Sequence, residues 1–210
     1  MNDNNVTDAI VPIYCDGDFN GTGFIYRHYL VTAAHVVENL ENIYFHYQGE
    51  RHVLSENNRL YCKRFGKERD GLGRVIFNAL AEDLAIFAIE ISNSALEICA
   101  DSLVDGTKAL QYGYYYESDG VISLKNVCVE LFNEGVVDGR PLNSQDYCMY
   151  YKQMDSTVKI IKGYSGGPIL VNNNVAGMLI ESLIFKGYYH IVKSKRISEI
   201  ISLKNSLSLK

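Results

Sequence analysis

The chain has no surplus of basic residues, no CxxC pair and no apolar run long enough to span a bilayer. Its 20 Lys and Arg stand against 25 Asp and Glu, a net charge of −5. Nucleic acid as the main partner usually requires a basic face, so this balance argues against it. A membrane-spanning helix needs ~20 consecutive apolar residues, and no stretch approaches that. The opening residues Met1-Asn2-Asp3-Asn4-Asn5 offer neither a basic nor an apolar leader region, so no signal peptide is visible. The five cysteines, Cys15, Cys62, Cys99, Cys128 and Cys148, are odd in number and never spaced as CxxC. Reduced, mostly buried thiols fit this better than a disulfide framework or a zinc site. The expectation is a cytoplasmic protein without metal, membrane or nucleic-acid partner. Tryptophan is absent and tyrosine abundant, which suits β-strands.

What is there is a series of short β-branched and aromatic runs. At 210 residues the chain is long enough to bury roughly 70% of its extended surface. The predicted strands of the first half are 10–15, 23–26, 29–33, 43–46, an interrupted 51–62, 74–77 and 84–89. Those of the second half are 108–114, 121–132, 147–151, 168–171, 175–182 and 188–192. Turn signals such as Asn20-Gly21, Asp105-Gly106, Asp119-Gly120 and Asn172-Asn173-Asn174 separate them. Only two segments read as helical. One is a single turn at Ala33–Val37. The other is the tail after Lys193, with Ile197, Ile200 and Ile201 at helical spacing, Ser194 or Ser198 as its cap and 205–210 fraying. The weakest strand signal, 91–105, reads as a linker dividing the chain into an N-terminal unit (1–100) and a C-terminal unit (101–210).

The chemistry centres on Gly163-Tyr164-Ser165-Gly166-Gly167-Pro168. Glycines on both sides of a serine permit backbone conformations that aim N–H groups at a developing oxyanion while presenting the hydroxyl. The same residues are also an ordinary Gly/Pro turn. A base and an orienting carboxylate decide between the two readings. Thr32-Ala33-Ala34-His35-Val36-Val37 supplies a histidine, and Glu82-Asp83-Leu84-Ala85 supplies an acid. Gly21-Thr22-Gly23-Phe24-Ile25 precedes the histidine segment in the same island. Gly163–Gly167 also fits the G-x-S-x-G elbow of α/β-hydrolases. That reading fails because those enzymes run Ser, Asp, His, and because Pro168–Val171 reads as a strand where the elbow needs a helix.

The three motifs in the order His, Asp, Ser resemble the chymotrypsin-like serine proteases, in particular bacterial members of the high-temperature-requirement and glutamyl-endopeptidase types. The resemblance spans about residues 10 to 202. It implies an all-β fold of two six-stranded β-barrels with a C-terminal helix. His35 and Asp83 would lie on the first barrel and Ser165 on the second. Ser165 would be the nucleophile, His35 its base and Asp83 the orienting acid, preferred over its neighbour Glu82 because it stands immediately before Leu-Ala. The N–H groups of Gly163 and Ser165 would form the oxyanion hole. No cofactor is implied, and the partner is a protein or peptide substrate.

Departures from the family pattern carry information too. Zymogen-activated members place an Asp before the nucleophile to receive a freed N-terminal amine, and here that residue is Tyr164. Val36 and Ile161 stand where extracellular members have cysteines. By resemblance a specificity pocket would involve Lys159, Ile180, Glu181, Ser182, Tyr189 and His190. An inward Lys159 would favour acidic substrate residues, as would His190, whereas an inward Glu181 would favour basic ones. All three charges facing solvent is the plain alternative. The expected activity is a serine endopeptidase of narrow specificity or activated by a protein partner. The rivals are a catalytically silent binding module on the same fold and an esterase using the same triad.

Overall fold

The computed structural model describes residues 5–38, 41–63, 67–69, 75–77, 83–93, 95–99, 103–132, 135–137, 140–142, 148–154, 162–183 and 188–207. The first half forms β1 (Ile10–Cys15), β2 (Asp18–Thr32), α1 (Ala34–Val37), β3 (Ile43–Tyr47), β4 (Glu50–Val53), β5 (Arg59–Lys63), β6 (Lys67–Arg69), β7 (Val75–Phe77) and β8 (Leu84–Asn93). A two-residue β9 (Glu97–Ile98) leads to β10 (Thr107–Tyr116), β11 (Ile122–Phe132), β12 (Gly135–Val137), β13 (Arg140–Leu142) and β14 (Cys148–Gln153). The chain ends with β15 (Pro168–Val171), β16 (Asn174–Leu183), β17 (Tyr188–Lys193) and the helix α2 (Ser194–Leu207).

These strands make two principal sheets. The first runs β4-β3-β1-β2-β8-β5. The second runs β15-β10-β11-β14-β17-β16, and β15 pairs with β16, so its six strands close on themselves. The short β9 adds to β16 in parallel, Glu97 and Ile98 opposite Asn174 and Val175. Tight turns set the registers. Asp16 and Gly17, with φ of +52° and +96°, join β1 to β2 in the doubly left-handed manner that two-residue hairpins favour.

Side-chain alternation explains the cores. Along β10 the residues Ala109, Gln111, Gly113 and Tyr115 are buried while their neighbours are less so, the period of two expected of a strand with one face inward. Strand β2 differs, being buried at every position from Gly21 to Tyr26. It is covered on both faces because the second sheet packs against it. One core cluster joins Phe24, Leu30, Phe45 and Phe87 of the first sheet to Met178, Ile180 and Val192 of the second and to Ile197, Ile200 and Ile201 of α2. A smaller cluster fills the second sheet around Val129, Leu131, Tyr164, Ile169, Leu179 and Ile191.

Several local expectations change. The strands predicted at 23–26 and 29–33 are one strand, β2. It bends without breaking at Arg27, where φ is +56° and the register against β8 shifts. The linker predicted at 91–105 is partly strand, since β8 reaches Asn93 and β9 joins the second sheet. Helix α2 continues through Leu207 although fraying was expected from Asn205. The hydroxyl of Tyr29 donates to Asn205 Oδ1 at 2.7 Å and fastens that last turn to β2. Ser194 opens the helix, while Ser198 lies inside it and caps nothing.

Candidate active site

His35 stands on α1 directly after β2. Ala33, Ala34, Val36 and Val37 are at most 1% exposed, so the four residues flanking His35 anchor the turn and leave the imidazole at its partly open side. The turn is closed at its far end by Asn20, whose Nδ2 donates to the Val36 carbonyl at 2.6 Å. The Cys15 thiol donates to the same carbonyl at 3.4 Å.

Asp83, immediately before β8, is 4% exposed. It grips the histidine twice. The His35 backbone N–H donates to Asp83 Oδ1 at 2.8 Å, and His35 Nδ1 pairs with Asp83 Oδ2. An ionised carboxylate can only accept hydrogen bonds, so the ring proton sits on Nδ1 and Nε2 is left as the basic nitrogen. The rival Glu82 lies outside the described residues.

The Ser165 loop is held by its backbone. Gly163 and Gly166 adopt φ of +112° and +84°, left-handed conformations that disfavour any side chain. A Cβ on Gly166 would come within 2.1 Å of the Thr22 carbonyl oxygen, and one on Gly167 within 2.0 Å of that of Tyr112. Gly166 N–H donates to the Leu179 carbonyl at 2.8 Å, and Leu179 N–H returns a bond to the Gly167 carbonyl at 3.0 Å. Gly167 N–H donates to the Tyr164 carbonyl at 3.0 Å. The peptide plane is rigid and trans, so with the Tyr164 carbonyl turned to Gly167 the Ser165 N–H faces the opposite way. Among the described residues neither the Gly163 nor the Ser165 N–H has an acceptor.

Tyr164, the residue before Ser165, is packed into the core of the second sheet. It is 1% exposed and lies so close over Gly113 that a Cβ there would fall 2.5 Å from its ring. The Tyr115 ring is 6.2 Å away, centroid to centroid. Burial pushes the Tyr164 phenol up to about 12.

The two halves meet through shared neighbours. A Cβ on Gly21 would meet both Val36, beside His35, and the carbonyl oxygen of Ser165. A Cβ on Gly166 would lie 2.9 Å from the Ala33 nitrogen. The Ser165 hydroxyl itself makes no hydrogen bond among the described residues. The residue that sequence reasoning left without a role is Thr22, fully buried. Its N–H donates to the Ser165 carbonyl at 2.9 Å and its hydroxyl to the Gly163 carbonyl at 2.7 Å. The only trace in the sequence is a threonine between two glycines.

Of the predicted specificity residues, Ile180 is 2% exposed and belongs to the core shared by both sheets. Glu181 and Ser182 lie on β16 opposite His190 and Tyr189 of β17, and Tyr189 is half-buried. Lys159 and Ile161 lie outside the described residues. Among the described residues no group of three or more His, Cys, Asp or Glu is placed to hold a metal ion, and no helix is long and apolar enough to cross a membrane.

The family model described as Trypsin matches residues 4–186. No curated protein matches the chain in sequence. Among solved structures it is similar to Rv3671c of M. tuberculosis, in the inactive form of a serine-to-alanine mutant. That match has 15% identity and a TM-score of 0.64, covering 96% of this chain and 88% of that one. The active form of the same protease gives 16% identity and a TM-score of 0.61, over 95% and 83% of the two chains. The HtrA-type protease AlgW, solved with a decapeptide, gives 16% identity and a TM-score of 0.63, over 98% of this chain and 67% of that one. The shared fold is the double β-barrel of chymotrypsin-like type, here with a C-terminal helix.

Proposed function

The chain belongs to the trypsin family and is a serine peptidase, and from that premise we propose that Ser165, His35 and Asp83 are its catalytic triad. The Ser165 oxygen attacks the carbonyl carbon of the scissile peptide bond while its proton passes to His35 Nε2. The carbonyl becomes an oxyanion held by the Gly163 and Ser165 N–H groups, where fixed donors stabilise developing charge without reorganising. Collapse breaks the C–N bond. The amine leaves with the proton from His35, and Ser165 remains as an ester. Water, deprotonated by His35, then hydrolyses that ester and restores the hydroxyl.

The observation that carries this reading is the double grip of buried Asp83 on His35. A carboxylate that fixes both the backbone and the ring of one histidine orients a base, and a surface histidine has no use for it. Asp83 stabilises the imidazolium formed in the transition state.

The substrates are proteins or peptides, in keeping with the decapeptide bound to AlgW. Cys15, Cys62, Cys99 and Cys128 are all unpaired, which favours work in a reducing compartment such as the cytoplasm. An enzyme placed there acts on few sequences or waits for a protein partner. A fluorophosphonate probe and a peptide library separate these arrangements. Labelling of Ser165 in the purified chain with a narrow cleavage profile supports intrinsic specificity. Labelling only after a partner is added supports activation. Labelling with ester turnover but no peptide cleavage supports the esterase, and no labelling under either condition the silent module.

A further inference from the structure

We propose that Thr22 is a positioning residue, whose hydroxyl and backbone set the oxyanion side of the Ser165 loop against the segment that carries His35. The proposal rests on the triad reading above. Every polar group of Thr22 is used, and the partners come from separate stretches of chain. Its N–H donates to the Ser165 carbonyl at 2.9 Å. Its hydroxyl donates to the Gly163 carbonyl at 2.7 Å and accepts from the Tyr114 N–H at 2.8 Å. Its carbonyl accepts from the Thr32 hydroxyl at 2.7 Å. Thr32 lies three residues before His35, so one buried residue ties the base's segment, the nucleophile's loop and strand β10 together.

The surroundings make this possible. Across the β1–β2 ladder Thr22 stands opposite Pro12 in a pair that exchanges no ladder bonds, because the Thr22 N–H and carbonyl both turn away from β1, to Ser165 and Thr32. Gly21 and Gly23 flank it, and a Cβ on Gly21 would already press on Val36 at 2.7 Å. The loop can therefore approach β2 closely enough to bond with it.

The effect on the oxyanion hole follows from peptide geometry. The carbonyls of Gly163 and Ser165 point to Thr22, while that of Tyr164 points to Gly167. Fixing all three carbonyls fixes the peptide planes of the loop and leaves the Ser165 N–H turned outward. Branching at Cβ restricts the Thr22 side-chain torsion, so its hydroxyl is set in direction before any substrate arrives.

The test compares Thr22→Val, which keeps the shape and loses both hydroxyl bonds, with Thr22→Ser, which keeps the oxygen. Thr22→Val is expected to lower kcat and the fluorophosphonate labelling rate about 10- to 100-fold with KM within about twofold, somewhat less than the loss of a whole oxyanion donor. Thr22→Ser is expected to recover most of the rate. Hydrogen exchange at the bonded amides of Gly166 and Gly167 is expected to quicken about tenfold or more in Thr22→Val and little in Thr22→Ser. A role confined to stability lowers Tm and leaves kcat intact below the melting range, which overturns the proposal. So does equal kcat in the valine and serine variants. If Thr22→Val fails to fold, Thr22→Ala against Thr22→Ser carries the same comparison. If the wild type is never labelled, the triad reading has failed, and the exchange rates still decide whether Thr22 holds the loop.

Discussion

The two sides of the site are held by different means. On the first sheet a side chain does the holding: Asp83 is buried and bonds the backbone and the ring of His35. On the second sheet the backbone does it: Gly163 and Gly166 take left-handed conformations, and the carbonyls around Ser165 are fastened to Thr22 and Gly167. The Ser165 hydroxyl holds nothing among the described residues. One side depends on the charge and shape of a single acid, and the other on the lack of side chains at Gly166 and Gly167. Substitutions should therefore divide into those that stop the chemistry in an intact fold and those that disturb the fold first.

The largest effect is expected from Ser165→Ala. It should lower peptide hydrolysis roughly 10⁶-fold, with a Tm close to wild type because no hydrogen bond among the described residues uses the hydroxyl. A Tm loss of many degrees would assign the hydroxyl to the structure. Next is Asp83→Asn, expected to lower kcat about 10⁴-fold by allowing the wrong imidazole tautomer. If kcat holds within tenfold, His35 is oriented by something else. On the backbone side Tyr164→Ala should cost about 3–5 kcal/mol of stability, as large aromatic truncations in cores do. Urea unfolding measures this, and a loss below 1 kcal/mol would mean that the loop does not depend on Tyr164 packing against Gly113. Gly166→Ala should cost about 3 kcal/mol, combining left-handed strain with the approach to the Thr22 carbonyl. It should also slow labelling of whatever remains folded.

The smallest effect is a loss of stability at high pH. Burial pushes the Cys15 thiol up from 9.0 to about 11, and the Tyr164 phenol from 10.0 to about 12. Above pH 9 the unfolded chain releases the thiol proton while the folded one keeps it. Stabilisation from Cys15 is thus full below pH 9 and disappears as the pH rises through 11. In Cys15→Ala the fall in stability between pH 9 and 11 should be shallower. An unchanged slope would put the high-pH loss elsewhere.

Much of the architecture was legible because strands and turns are local. Pro168–Val171 and Ile10–Cys15 match their predicted bounds, since each is a short β-branched run closed by turn residues. The pairing of His35 with Asp83 was legible only through the motif order, as no local signal joins residues 48 positions apart. What escaped the sequence depends on distant partners. Thr22 meets Gly163 across 141 positions and Tyr114 across 92, and its role appears only when both sheets are in place. Strand β9 is too short and polar to announce itself and exists because β16 offers it an edge. The bend at Arg27 looks like a break in sequence, yet the ladder to β8 continues past it.

The central claim is that His35, held by Asp83, activates Ser165. Its most direct test is the rate of fluorophosphonate labelling in wild type, His35→Ala and Ser165→Ala, with the labelled peptide identified by mass spectrometry. Covalent label is expected on Ser165 in the wild type, at a rate lower by several orders of magnitude in His35→Ala, and not at all in Ser165→Ala. Equal labelling of wild type and His35→Ala, or label carried by another residue, would contradict it.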